Sequence, residues 1–229
     1  MKKILCTICM RGGSNEIKNK NLIKINRKHL MYFTISQAKK SKLFDNIVVS
    51  TDSNKISNIA KKYGASSWYK RPKNLSTSYA PKIPVIRHTL KESENYFKKK
   101  YDFIFDLDVT SPLRTISDIK NAFKFFLKKK ADILITGSKS QKNPYFNIVK
   151  FKKGIIKKVM GVEAGIKRRQ DAPTTYDMNA SIYIWKRDVL LKSKTLFRKK
   201  TVFYEMPRER SVDIDSKFDL MIVKHLLKK

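Results

Sequence analysis

The sequence of 229 residues holds two cysteines, three histidines, and 19 acidic residues against 52 lysines and arginines, and each scarcity excludes something. Cys6 and Cys9 form a C-x-x-C within CTIC, yet a zinc site needs two further ligands, and His29, His88 and His225 stand singly. A redox C-x-x-C opens a helix, whereas this one lies inside a β-rich run, so two buried thiols in a strand are expected. No apolar run approaches the roughly 18 residues of a membrane span, and no signal-peptide core is expected, which makes a reducing cytoplasm the default. The phosphate loops G-x-x-x-x-G-K-[ST] and G-x-G-x-x-G are both missing. So are zinc-finger spacing and an aromatic RNP-type strand with basic flanks.

What the sequence has in excess is positive charge, +33 formally, for which the immediate reading is a polyanion partner. The lysines, however, are spread along the whole chain in small groups such as Lys98-Lys99-Lys100 and Lys128-Lys129-Lys130. These groups fall at the ends of apolar-periodic segments, where cations suit helix C-termini and solvated faces. The charge therefore reads as a compositional bias over an ordinary globular fold, with no specific nucleic-acid or membrane partner. A hydrophobic fraction of 41% and 11% aromatics can build a core, while 31% charged residues and a mean hydropathy of -0.47 give a polar exterior.

Short apolar runs alternate with amphipathic ones. Lys3–Cys9, Asn46–Ser50, Phe103–Leu107, Asp132–Thr136, Ser181–Trp185 and Thr201–Met206 read as strands, several apolar on both faces. Leu30–Lys40, Asn54–Tyr63, Ile83–Phe97, Ser117–Leu127 and Ser216–Leu227 carry helical spacing, the fourth with Thr115 and Asp118 placed as a capping box. Strands separated by helices indicate βαβ units, hence an α/β fold with a doubly wound, mostly parallel sheet covered on both sides. Between Gln141 and Tyr176 the pattern weakens into a hairpin-like FNIVKFKKGIIKKVM, turning at Lys153-Gly154, and a basic loop, GIKRRQDAPTTY. This segment is expected to project from a single domain rather than form a second one.

In open α/β sheets ligands bind at the C-terminal ends of the strands, which directs attention to Arg11-Gly12-Gly13-Ser14 after the first strand. The glycines allow backbone N–H groups to approach an anion, and Arg11, Lys18 and Lys20 supply charge. Asp106 and Asp108 fall on one face at the end of the third strand, followed by Thr110-Ser111-Pro112-Leu113-Arg114. Near the end, Asp213 and Asp215 in SVDID would repel on one side of an extended segment unless a cation lay beside them, a setting for Mg²⁺. The plainer alternative is that Asp215 or Ser216 caps the last helix.

Taken in order, RGGS with KNKN (Arg11–Asn21), SKLFDNIVVSTDS (Ser41–Ser53), KKYGA (Lys61–Ala65), Arg71-Pro72, TSPLRTISDI (Thr110–Ile119), NPY (Asn143–Tyr145), RRQDAP (Arg168–Pro173), NASIYI (Asn179–Ile184) and SVDID (Ser211–Asp215) span nearly the whole chain. This ordered set resembles the cytidylyltransferases that activate acidic sugars, the acylneuraminate branch in particular. The resemblance implies a Rossmann-like nucleotidyltransferase over residues 1–229, with 141–176 as an inserted dimerisation element. It implies CTP and an acidic nine-carbon sugar as substrates, a CMP-sugar and pyrophosphate as products, a homodimer, and Mg²⁺. Arg11, Lys20 and Asp213 would be catalytic. Gly12, Gly13 and Ser14 would lie beside the triphosphate with Arg11 and Lys20, while Asn21 and Arg71 hold the nucleotide. Asp213 and Asp215 would anchor the metal, and Asp108, Thr110, Arg169, Asn179 and Tyr183 would face the sugar.

The sequence departs from the family pattern at three places. Asn15 and Glu16 stand where Lys-Gly is usual, Asp108-Val109 where sialic-acid enzymes carry a glutamine, and Lys82 where a small hydroxylated residue is common. An ionised Asp108 would have to read a hydrogen-bond donor on the sugar or else a metal. With DLDVTSPLR, NPYFNIV and YDMNASIYIW, these changes look like the branch acting on N,N'-diacetyllegionaminic acid. Pseudaminic acid and KDO are the alternative acids, and a basic nucleic-acid-binding protein is the alternative from another class.

Overall fold

The computed structural model describes residues 2–228 except 14–16, 18, 161–165 and 167, and for Arg169 the backbone only. In chain order the elements are β1 (Ile4–Cys9), β2 (Lys24–Ile25), β3 (Lys28–His29), α1 (Leu30–Ser41), β4 (Asn46–Ser50), α2 (Asn54–Lys62), α3 (Lys82–Phe97), β5 (Phe103–Leu107) and α4 (Ile116–Lys128). There follow β6 (Ile133–Lys139), β7 (Val149–Lys152), β8 (Ile155–Lys158), β9 (Tyr176–Met178), β10 (Ile182–Lys186), α5 (Arg187–Lys192), β11 (Thr201–Glu205) and α6 (Lys217–Leu226).

The main sheet has the order β11-β6-β10-β5-β1-β4, with β9 added to the end of β6. β1 is buried on both faces because its side chains alternate between two helical layers. Cys6 and Ile8 meet Leu30, Met31 and Ile35 of α1, Phe123 of α4 and Val223 of α6 in one cluster. Leu5 meets Ile86 and Leu90 of α3 and Leu190 of α5 in the other. Each such side chain contributes about 1.5–3 kcal/mol by leaving water, so both helical layers are held by burial more than by helix propensity.

Local signals hold closely. Thr115 and Asp118 close the capping box of α4, Ser216 and Asp219 close one at α6, and lysines sit in the last turns of α1, α2 and α4. Lys153 and Gly154 have φ of 51° and 76°, the two positive values that a tight two-residue hairpin turn requires. The β7–β8 hairpin stands apart as its own two-stranded sheet, with Phe151, Ile155 and Ile156 exposed.

Two features were not legible. β10 runs antiparallel to both β5 and β6, and together with the short β9 it is reversed against the five strands that point the same way. The excursion leaves the C-terminal end of β6 and returns to the same edge, first as β9 against Gly137–Lys139, so the chain can re-enter the sheet only in the opposite sense. That pairing also carries β6 past Thr136, and it requires Gly137, where a Cβ would collide with the carbonyl oxygen of Asp177. The short hairpin β2–β3 and helix α5 are further additions. No helix among the described residues is long and apolar enough to cross a membrane.

Candidate active site

The C-terminal edge of the parallel strands gathers segments up to 195 residues apart. Gly12 N–H donates to Asp52 Oδ1 at 2.7 Å, joining the loops after β1 and β4. A Cβ on Gly12 would lie 3.1 Å from Ser53 Cβ, so glycine serves the close approach of these loops, whereas the space around Gly13 is open. Asn21 Nδ2 donates to the Arg11 carbonyl at 3.0 Å. The Arg11 guanidinium is half-buried and has no hydrogen bond or ion pair with any described residue. Arg71 is buried behind the β4 loop, its N–H bonded to Thr51 O at 2.9 Å and its Nε to Ser76 Oγ at 3.2 Å. Ser14, Asn15, Glu16 and Lys18 lie outside the described residues, as does the side chain of Arg169.

Lys20 crosses from this loop to the far end of the chain. Its ammonium donates to Ile214 O at 2.7 Å and pairs with Asp215 at 3.2 Å. The sequence places Asp213 and Asp215 on one side of an extended segment, but the segment turns instead: Asp215 N–H donates to Asp213 O at 3.1 Å. Ile214 between them is fully buried in the core, and the two carboxylates sit in different surroundings. Asp215 is 72% exposed at the side chain, while Asp213 Oδ1 is buried without a hydrogen-bond partner among the described residues. Burial first, and the nearby Asp108 and Asp215 charges next, push the Asp213 carboxyl up to about 6 despite Thr110 and Lys20.

A buried carboxylate oxygen without a donor is costly unless a ligand completes it, and oxygen donors of this kind fit a hard divalent cation. Among the described residues no group of three or more acids, histidines or cysteines could enclose a metal ion. The protein would thus hold such a cation by Asp213 and Asp215 at most, with ligand and water oxygens supplying the rest.

At the end of β5 the picture is different. Asp106, 1% exposed, accepts from Thr7 Oγ1 at 2.7 Å and pairs with Lys82 at 3.2 Å. Asp108 Oδ2 meets Lys82 at 2.7 Å, while its Oδ1 accepts from Thr110 N–H at 3.2 Å and the Thr110 hydroxyl at 2.9 Å. Burial raises the Asp108 carboxyl, but Lys82 and Thr110 outweigh it and hold it down to about 2. Burial likewise opposes charge on Lys82, and Asp108 and Asp106 overcome it, so the ammonium stays protonated well above the usual lysine range. That ammonium sits 4.7 Å from the centroid of the Tyr183 ring, which is buried opposite Asp106 on β10.

The neighbouring polar side chains are tied into the framework. Asn179 Oδ1 accepts from Thr136 Oγ1 at 2.7 Å and Ser181 N–H at 3.0 Å, and its Nδ2 donates to Ser211 Oγ at 3.0 Å. Asn179 thus ties β6, the entry of β10 and the late acidic segment together. Arg114, 2% exposed, donates to Ser181 O at 2.6 Å and Thr34 Oγ1 at 3.1 Å. The two sides of the groove meet where Ile214 N–H donates to Thr110 O at 2.9 Å.

Sequence reasoning assigned no role here to Asp52, Lys82, Asp106 or Arg114. Asp52 and Arg114 lie inside blocks quoted above. Lys82 was visible as a departure from pattern, but nothing in the sequence links it to an acid 26 residues away.

A cytidylyltransferase family model matches residues 5–224. The chain is 45% identical over 227 residues to the CMP-N,N'-diacetyllegionaminic acid synthase of Campylobacter jejuni, covering 99% of this chain and 96% of that protein. It is 46% identical over 228 residues to the post-translational flagellin modification protein B of Campylobacter coli, covering 100% and 96%. A solved CMP:2-keto-3-deoxy-manno-octonic acid synthetase, complexed with CTP, superposes with a TM-score of 0.71 at 14% identity over 99% of both chains, a likeness of fold. On the family match and these two relatives, the chain belongs to the cytidylyltransferase family and is a nucleotidyltransferase.

Proposed function

We propose that this cytidylyltransferase transfers CMP from CTP to a nonulosonic acid of the N,N'-diacetyllegionaminic type, releasing pyrophosphate. The reading is supported by the whole-length relative of that name and by the ordered motifs. The observation that carries it is the Arg11 guanidinium, without a partner among the described residues, beside a glycine loop, with Lys20 linking that loop to the Asp213–Asp215 turn.

In this reading the anomeric hydroxyl oxygen of the sugar bonds to the α-phosphorus as the bond to the pyrophosphate oxygen breaks, and the hydroxyl proton leaves to base or solvent. Negative charge grows on the departing pyrophosphate. Arg11 and Lys20 neutralise it, with Gly12, Gly13 and Ser14 letting the phosphates reach the backbone. Asn21 and Arg71 hold the nucleoside. Asp108, Thr110, Arg169, Asn179 and Tyr183 form the sugar side; Arg169 would grip the carboxylate with its two-pronged fork. Mg²⁺ at Asp213 and Asp215 would supply further charge on the phosphate oxygens and acidify the attacking hydroxyl. The protein's main work is positioning, since the two substrates must meet in line.

The chain acts as one nucleotidyltransferase domain, 1–229, and the excursion 141–176 carries the contact of a homodimer. The exposed Phe151, Ile155 and Ile156 of the β7–β8 hairpin support that contact, being apolar surface on a projection too small to bury it alone. Two free thiols suit a reducing cytoplasm.

The test is pyrophosphate release from CTP and Mg²⁺ with a panel of acids: N,N'-diacetyllegionaminic, sialic, pseudaminic and KDO. Release is expected to be fastest with the first and to stop on chelation of the metal. Folded protein that releases none with any of the four would overturn the reading.

A further inference from the structure

Lys82 heads α3 directly after Pro81 and lies between two acids at the sugar side of the groove. An ammonium has three N–H donors. Asp108 accepts one at 2.7 Å, Asp106 pairs with the ammonium at 3.2 Å, and no other oxygen or nitrogen of a described residue meets it. The Tyr183 ring, 4.7 Å away, offers only a weak electrostatic contact in its place. The side chain is 32% exposed, so an incoming acceptor can reach it.

The charge balance decides which acceptor. One ammonium faces two carboxylates, and Asp213 also acts on the same surroundings, so acids outnumber the cation. A sugar carboxylate brought to Lys82 would meet that negative charge. A neutral carbonyl would not, and it gains a charge-assisted hydrogen bond. Lys82, Ile83, Pro84, Tyr183, Trp185 and Leu196 also line a mainly apolar cavity of about 370 Å³. A carbonyl joined to a small apolar group fits that combination, and an acetamido group is such a pair.

Resting on the proposed acid-sugar reading, we infer that Lys82 is a specificity-determining residue whose third N–H reads the carbonyl of an acylamido substituent on the sugar, while its other two bonds keep Asp106 and Asp108 in place. This pairing also explains two departures from the family pattern together. The lysine at position 82 answers the aspartate at position 108, and the ammonium rather than the carboxylate presents the free polar group.

The experiment compares Lys82→Met and the charge-balanced Lys82→Met/Asp106→Asn with wild type, on a diacetamido nonulosonic acid and on the same acid with hydroxyls in place of the acetamido groups. Loss of a charge-assisted bond to substrate should lower kcat/KM for the acetamido acid about 10- to 100-fold, mainly through KM. For the hydroxyl analogue it should fall about threefold or less, and CTP affinity by calorimetry should not change. Equal losses on both acids, in either variant, would overturn the inference while leaving the transfer reaction standing. Wild type that turns over neither acid would overturn both.

Discussion

Arg11 has no partner among the described residues, whereas Lys82, on the other side of the same groove, holds two carboxylates against a tyrosine ring. Asp213 Oδ1 is buried without a hydrogen-bond partner among the described residues, whereas Asp108 has both oxygens occupied and Asn179 both its oxygen and its nitrogen. The first side is left open where a polyphosphate and a cation would complete it; the second is largely bonded within itself, with one N–H of Lys82 left for a ligand. Open polar groups cost the folded protein energy, so they persist where ligand binding returns it. Saturated networks fix shape, which suits the discrimination of one sugar from another.

The difference can be broken experimentally, and the largest effect should fall on the open side. Arg11→Ala should lower kcat/KM for CTP by about 100- to 1,000-fold, since it removes a cation from the developing charge. Thermal unfolding should stay unchanged, because the side chain holds no described residue. A variant that instead melts early would show Arg11 to be part of the scaffold.

On the closed side the balance should reverse. Asn179→Leu strands the Ser181 N–H and takes one bond each from the Thr136 and Ser211 hydroxyls, which keep Ile182 and Pro207, at a cost of about 1–3 kcal/mol in urea unfolding. Stability equal to wild type would remove Asn179 from the framework and leave it free to act on substrate alone.

The smallest effect concerns Asp118, where Arg210 reaches both carboxylate oxygens, at 2.9 and 3.0 Å, from the segment preceding the acidic turn. Burial raises this carboxyl, yet the bonds from Arg210 and Thr115 outweigh it and hold it below the ordinary aspartate value. A lowered folded-state value means the contribution is full above the unfolded value of about 3.9 and is lost as pH falls through the folded one. Unfolding midpoints of wild type and Asp118→Asn should therefore differ at pH 6 and converge toward pH 3. A gap that stays constant with pH would mean the carboxylate charge contributes nothing.

Much of the fold could be read from local pattern. The six main strands, the α1–α4 and α6 helices, the Thr115–Asp118 box and the Lys153-Gly154 turn depend on side chains a few residues apart, and periodicity records such spacing. β9 and α5 escaped because three and six residues carry too little periodicity to register. At the site, the residue types were visible at Arg11, Lys20, Asp108 and Asp213, but their partners were not. The i, i+2 spacing of Asp213 and Asp215 suggested an extended segment, whereas the Asp215 N–H closes a tight turn onto Asp213 O around the buried Ile214.

The sequence by itself determined an alternating α/β chain, its caps and turns, and a set of cations, glycines and acids at strand ends. Tertiary structure decided the reversed direction of β10, the Lys20–Asp215 link, and the enclosure of Lys82 by Asp106 and Asp108. Those contacts join residues 24 to 195 positions apart. They form because burial of both sheet faces brings strand ends together, and no local spacing encodes which ends will meet.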